Sequence, residues 1–409
     1  MKRTIIVVIL CCVWAKLPLN AQIYISEISP ANGTILDRNH TSSDWCEITA
    51  TASSVNLKGW RISDKNKFEE AYILPDTVLK SGQAAMIYCN QNTESKPITT
   101  LIGDGAWIGR WSFWERNTFA YIPMSGDFTM TVRINSIFHD SVPTEAVLLI
   151  RENTHETSRY IGISALSNTF TIIHNKPSVN PNSDGMFFTL QNYPVEAKFP
   201  HCWLKLQKKG DTICLAASAD GYYWAEEKSY YFPFTHNEYF AGIAIAPTNY
   251  VYSNNIRLDY SELMINEKEF PNGFPHIANI KTQKKASQIK NKEIHVPFQL
   301  SASHETVFLW NPDGDLIDTI SWNNISGNRT WGRDSLGQKG YLFTATPGYK
   351  NSKNAEGICT MPDLDESSGI KSTFFTTKLS NTGDDETIRF TTNNEDPDET
   401  QQFYPMILF

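Results

Sequence analysis

The chain is patterned in short runs that alternate or stay apolar for five to eight positions, and Pro, Gly, Asn, Asp and Ser stand between them. Ile23–Ile28, Asp44–Thr49 and Leu57–Ile62 read as the first three strands, and Ala84–Cys89 as a buried one. In Phe128–Ile134, Phe, Met, Val and Ile share one face, with Thr and Arg on the other. Ala146–Arg151, Tyr160–Ala165, Thr169–His174, Trp203–Gln207, Thr212–Ser218 and Phe240–Ala246 continue the series. A late hairpin, Val307–Trp310 and Leu316–Trp322, turns through Asn311-Pro312-Asp313-Gly314. No stretch carries a sustained helical period, so the expected fold class is all-β, in several modules across 409 residues.

Three stretches resemble known families. ISEISPANG, SSDWCEI and VNLKGWRISD, followed by residues 71–90, resemble the start of a lamin-tail domain, an immunoglobulin-like sandwich. The family's next strand is missing there and reappears as LSASHETV at 300–307, with TWGR and TPG resembling its finish. That resemblance implies one domain in two parts, 22–97 and 294–351, interrupted by 98–265 and a connector, 266–293. The interruption resembles a concanavalin-like jelly roll, through Trp114, Tyr121–Asp127, Leu149–Glu152, Cys202–Leu206, Ser218–Trp224 and Phe240–Ala244. Residues 352–409 form a linker and a partial module resembling the chitobiase/β-hexosaminidase C-terminal type, marked by Glu386–Pro397. The resemblances point to a bacterial secreted protein. The five lysines between Lys281 and Lys292 read as a solvated linker.

Met1–Ala21 has the form of a secretory signal: Lys2 and Arg3, an apolar run Ile5–Trp14, and a small-residue exit. The apolar run is too short to span a bilayer, which needs ~20 residues. Cleavage removes Lys2, Arg3 and Lys16 and no acid, moving the net charge from −8 to −11. An acidic chain argues against nucleic acid as a partner. Five cysteines remain after cleavage, without metal-type spacing. With Lys209 and Gly210 at the centre of a hairpin turn, Cys202 opposes Ala217 and Cys214 opposes Lys205, too far apart to bridge.

No nucleophile elbow, zinc-protease motif, phosphate loop or dinucleotide fingerprint occurs. Glu145, Glu152 and Glu156 do not share a strand face as a glycosidase pair requires. No catalytic residue is therefore assigned and no enzyme activity expected. Aromatic faces stack on sugar C–H surfaces, which makes Trp107, Trp111 and Trp114 one set of glycan-contact candidates and Tyr222, Tyr223 and Trp224 another. For both sets the alternative is packing on the hydrophobic core. Glu27, Asp37, Asp44 and Glu47 are candidate oxygen ligands for a cation such as Ca2+, or else strand-end carboxylates accepting loop N–H groups. No other cofactor is implied. The expectation is a secreted or cell-surface binding or scaffold protein contacting polysaccharide, another surface polymer or a cell-surface protein. The alternatives are a glycan-active hydrolase and a structural spacer of a larger assembly.

Overall fold

The structure is a computed structural model. It describes residues 22–355 except 38, 40, 94–95, 107, 109–114, 140–142, 167–170, 177–190, 194–201, 225–226, 249–250, 326 and 349. Beyond 355 it describes only the strands Asp363–Leu364, Thr376–Thr377, Leu379–Ser380 and Ile407–Leu408. The chain is all-β, and the one helical turn among the described residues is Phe68–Glu70. None of the described helices is long and apolar enough to cross a membrane. Residues 1–354 form one compact unit and 355–409 a second. In the second, Asp363–Leu364 pairs with Leu379–Ser380, and Thr376–Thr377 with Ile407–Leu408. The Glu386–Pro397 motif and the Met1–Ala21 segment lie outside the described residues.

The first unit holds two sandwiches. In the smaller, a six-stranded sheet runs Ile294–Val296, Ala84–Cys89, Asp44–Ala50, Ile23–Ser29, Trp331–Arg333, Lys339–Tyr341. A four-stranded sheet faces it: Leu316–Asn323, His304–Trp310, Arg61–Ser63, Tyr72–Ile73. Each sheet mixes strands from before residue 90 with strands from after residue 293. Ile87 and Cys89 share one apolar core with Ile294, Val307 and Leu309. The Leu57–Ile62 run is not one strand. Gly59 takes φ +88 in a turn between Ser54–Asn56 and Arg61–Ser63, a backbone state that glycine adopts without steric cost.

The larger sandwich packs two sheets over a core of alternating residues. One sheet runs Lys228–Tyr231, Thr212–Ser218, Cys202–Lys209, Phe128–His139, Ser253–Ile265, Pro97–Gly105, Ser287–Lys292. The other runs Gln191–Tyr193, Thr171–Lys176, Tyr160–Leu166, Thr144–Arg151, Glu238–Pro247, Asn117–Ser125, His276–Ile280. Phe128, Met130, Val132 and Ile134 all enter the core, as the period of two requires.

Two expectations change here. Residues 266–293 are not a solvated linker: His276–Ile280 and Ser287–Lys292 complete the edges of the two large sheets. Lysines on such edges keep them from pairing with other chains, so a basic stretch there serves the fold. The hairpin turn sits one residue later than expected, at Gly210-Asp211, so Lys209 pairs with Thr212, Leu204 with Ala217 and Gln207 with Cys214. Cys202 and Cys214 are both free.

Polar groups fill the seam between the sandwiches. Arg257 Nη1 donates to Gln83 Oε1 at 2.7 Å, and its Nε to Asp259 Oδ1 at 3.0 Å. Ser136 Oγ adds 2.8 Å to Asp259 Oδ2. A cavity of about 50 Å³ lies there, lined by Met86 and Tyr88 on one side and Asn135, Arg257, Asn291 and Glu293 on the other.

Candidate functional site

The candidate site is the turn after Thr212–Ser218. A Ser-Ala-Asp-Gly sequence reverses the chain because Ser and Asp side chains bond to their own backbone two or three residues on, and Gly accepts positive φ. Ser218 Oγ accepts the Gly221 N–H at 2.8 Å, and Gly221 has φ +79. Asp220 Oδ1 accepts the N–H groups of Tyr222 and Tyr223, both at 2.8 Å, and the Ser218 hydroxyl at 3.0 Å. Burial alone would raise the Asp220 carboxyl; the N–H groups of Tyr223 and Tyr222 and the Ser218 hydroxyl outweigh it and hold it below the usual range. The turn backbone is thus fixed by its own side chains.

On that backbone Tyr222 is 68% exposed and Tyr223 84%. They are the only two sequence neighbours among the exposed large apolar side chains of the described residues. Trp224 is half-buried, with Lys205 Nζ 5.4 Å from its ring centroid, and Lys205 in turn meets Glu227 at 2.9 Å. The Lys205 hydrogen bond holds the Glu227 carboxyl below its usual range. Three aromatic rings therefore lie on one turn, two in solvent and one held by a cation over its face.

Trp107, Trp111 and Trp114 lie outside the described residues. Their described neighbours Ile108 and Glu115 are fully buried; Ile108 packs into a cluster on the face of the sheet containing Asn117–Ser125 and Thr144–Arg151 that is turned away from the main core. Arg151 meets Glu115 at 3.1 Å on this face, with both side chains fully buried. Tyr121 stands at its centre, 5.2 Å from Phe119, 5.2 Å from Phe240 and 5.4 Å from His276 between ring centroids. Glu152 receives Arg159 at 2.9 Å and the Thr235 N–H at 3.0 Å. Glu156 receives Lys281 at 3.3 Å.

The structure brings together two of the four candidate cation ligands. Glu27 and Glu47 are directly opposite across Ile23–Ser29 and Asp44–Ala50, and neither is exposed. Their oxygens are taken by donors. Thr346 gives Glu27 its N–H at 3.1 Å and its hydroxyl at 2.7 Å, while Ser26 Oγ and the Gly348 N–H reach Glu47. Burial pushes Glu27 up to about 7 against the opposing bonds from Thr330 and Thr346. Burial and then the Glu27 charge push Glu47 well above the carboxylate range. Asp37 organises its own loop, accepting the N–H groups of Asn39 and Thr41 at 2.8 and 3.1 Å and Asn90 Nδ2 at 3.0 Å. Burial raises half-buried Asp44 to about 6, against N–H groups of Asn32 and Leu300. Among the described residues no three His, Cys, Asp or Glu converge in a way that could hold a metal ion.

No protein-family model and no curated protein matches the chain. Similar solved structures include carbohydrate-binding and glycosidase β-sandwiches. A functionally unknown protein from Saccharomyces cerevisiae shares 14% identity over 52% of this chain and 97% of its own, with a TM-score of 0.31. The VIP36 exoplasmic/lumenal domain in its Ca2+/Man3GlcNAc-bound form shares 12% over 56% and 95%, TM-score 0.22. A native glycosidic hydrolase shares 13% over 56% and 99%, TM-score 0.24. Likenesses this distant carry no argument about ligand or activity.

Proposed function

We infer that the chain is a non-catalytic binding protein of the cell surface that holds polysaccharide through the turn bearing Tyr222, Tyr223 and Trp224. The observation that carries this is the pair of solvent-facing tyrosines on a backbone already fixed by Asp220 and Ser218. Rigid aromatic rings held at a surface lose little entropy when they stack on a sugar. In this reading Met1–Ala21 directs export, and the smaller sandwich is the scaffold that carries the jelly roll.

Affinity electrophoresis through gels containing laminarin, xylan, mannan or hydroxyethylcellulose tests it. At least one polymer is expected to retard the protein, and Tyr222→Ala with Tyr223→Ala to weaken that retardation about tenfold or more, at ~1 kcal/mol per stacked ring. Absence of retardation in all four gels, or retardation that the double variant leaves unchanged, would overturn the assignment.

A further inference from the structure

Leu204, Leu206, Ile213 and Leu215 enter the main core, so Lys205, Gln207, Thr212 and Cys214 point to the opposite, outer face of the same sheet. Trp224 lies over Lys205, which pairs with Ala216. The last strand in the order of this sheet, Lys228–Tyr231, continues the outer face. Tyr230 packs on the core, so Tyr231, opposite Thr212, faces outward, and it is 75% exposed. Ser229, level with Cys214, stands between, its Oγ 3.3 Å from Cys214 Sγ.

From the level of Ala216 to that of Thr212 is four residue steps, or roughly 13 Å at ~3.3 Å each. Two aromatic rings therefore bound a strip along the sheet edge, longer than one sugar ring. Between them lie hydrogen-bonding groups: Gln207, Ser229 and the Lys205–Glu227 pair. That pair balances its own charge, which favours a neutral occupant over an anionic one.

The geometry points to an extended subsite: a neutral, linear polysaccharide lies along Lys228–Tyr231, stacked at one end on Trp224 and at the other on Tyr231. This deepens the glycan reading above and rests on it. A single sugar ring reaches only one end of the strip, so affinity must rise with chain length and Tyr231 must matter only for longer chains.

Titration calorimetry of the full chain with cello- and laminari-oligosaccharides, from glucose to the hexasaccharide, reads this directly. In one series affinity is expected to climb about tenfold once the chain spans both rings. Tyr231→Ala should lower hexasaccharide affinity by about the same factor and leave disaccharide affinity within about twofold. Tyr231 is exposed, so its replacement leaves the core intact, and a far-ultraviolet circular dichroism spectrum checks that. Length-independent binding, or a hexasaccharide affinity unmoved by Tyr231→Ala, overturns the extended subsite while leaving the turn as a glycan contact. Binding of a sulfated or uronic oligosaccharide in preference to the neutral series overturns the charge argument. If neither series binds at any length while one of the four gels still retards the protein, the extended subsite falls alone; if no gel retards it either, the glycan reading falls with it.

Discussion

Glu27→Gln should flatten a stability loss that the wild-type chain shows as pH rises. Glu27 and Glu47 are unexposed and opposite each other, and Glu27 holds its proton up to about 7. Unfolded, it would release that proton near its ordinary value of 4.5. The folded state thus binds the proton more tightly. Its stabilising share is complete below about 4.5 and is lost as pH climbs through about 7. A gap of about 2.5 units at ~1.4 kcal/mol per unit makes the loss of order 3 kcal/mol. Asp44 acts in the same direction at lower pH, with an effect reduced by its exposure. Glu47 is shifted the same way, by burial and then by the Glu27 charge. Glutamine retains an oxygen for the Thr346 donors but cannot ionise, so between pH 5 and pH 8 the variant should lose less stability than the wild type, by the Glu27 share. Thermal unfolding of both proteins by intrinsic fluorescence at pH 5, 6, 7 and 8 supplies the comparison. A wild-type midpoint that is flat or rises over this range, or an equal slope in the variant, would refute the reasoning.

Asp318→Ala should cost about 3–5 kcal/mol, because it strands Arg333, whose guanidinium meets both Asp318 oxygens at 2.7 and 2.8 Å inside the smaller sandwich. Urea unfolding checks it, and a cost below about 1 kcal/mol would contradict the burial argument. Gly348→Ala should lower the melting temperature by several degrees. Gly348 has φ +81, and an added Cβ would come within 2.5 Å of Ser136 across the seam between the sandwiches. Lys290→Ile on the edge strand Ser287–Lys292 should leave the melting temperature nearly unchanged and raise concentration-dependent aggregation in light scattering.

Strands are legible where the period of two survives, as in Phe128–Ile134, or where a short apolar run is bounded by turn residues, as in Ala84–Cys89. Ser253–Ile265, the longest of the described strands, has no unbroken alternation to mark it. Ile256, Leu258 and Tyr260 alternate inward, then an irregularity at Ser261 and Glu262, with φ +50 at Glu262, shifts the phase to Leu263 and Ile265. Lys281–Lys292 look solvated by composition, whereas the place of Ser287–Lys292 at the sheet edge is set by long-range pairing. Of the candidate site, the Ser-Ala-Asp-Gly turn was readable from local chemistry and its three aromatics were named with it. Tyr231 was not, although two consecutive tyrosines in a strand must point to opposite faces. The Glu27–Glu47 pairing was out of reach, since an irregularity between Ile25 and Glu27 sets the register that places them opposite.

The smaller sandwich has a consequence for the growing polypeptide. When Ala84–Cys89 leaves the ribosome, its parallel neighbour Ile294–Val296 has yet to be made. At ~5–20 residues per second the wait is roughly ten to forty seconds. For that time an apolar half-sandwich has no lid, and the larger sandwich itself waits for its edge strands His276–Ile280 and Ser287–Lys292. Premature pairing of Ala84–Cys89 with another chain is the hazard that this order of synthesis creates.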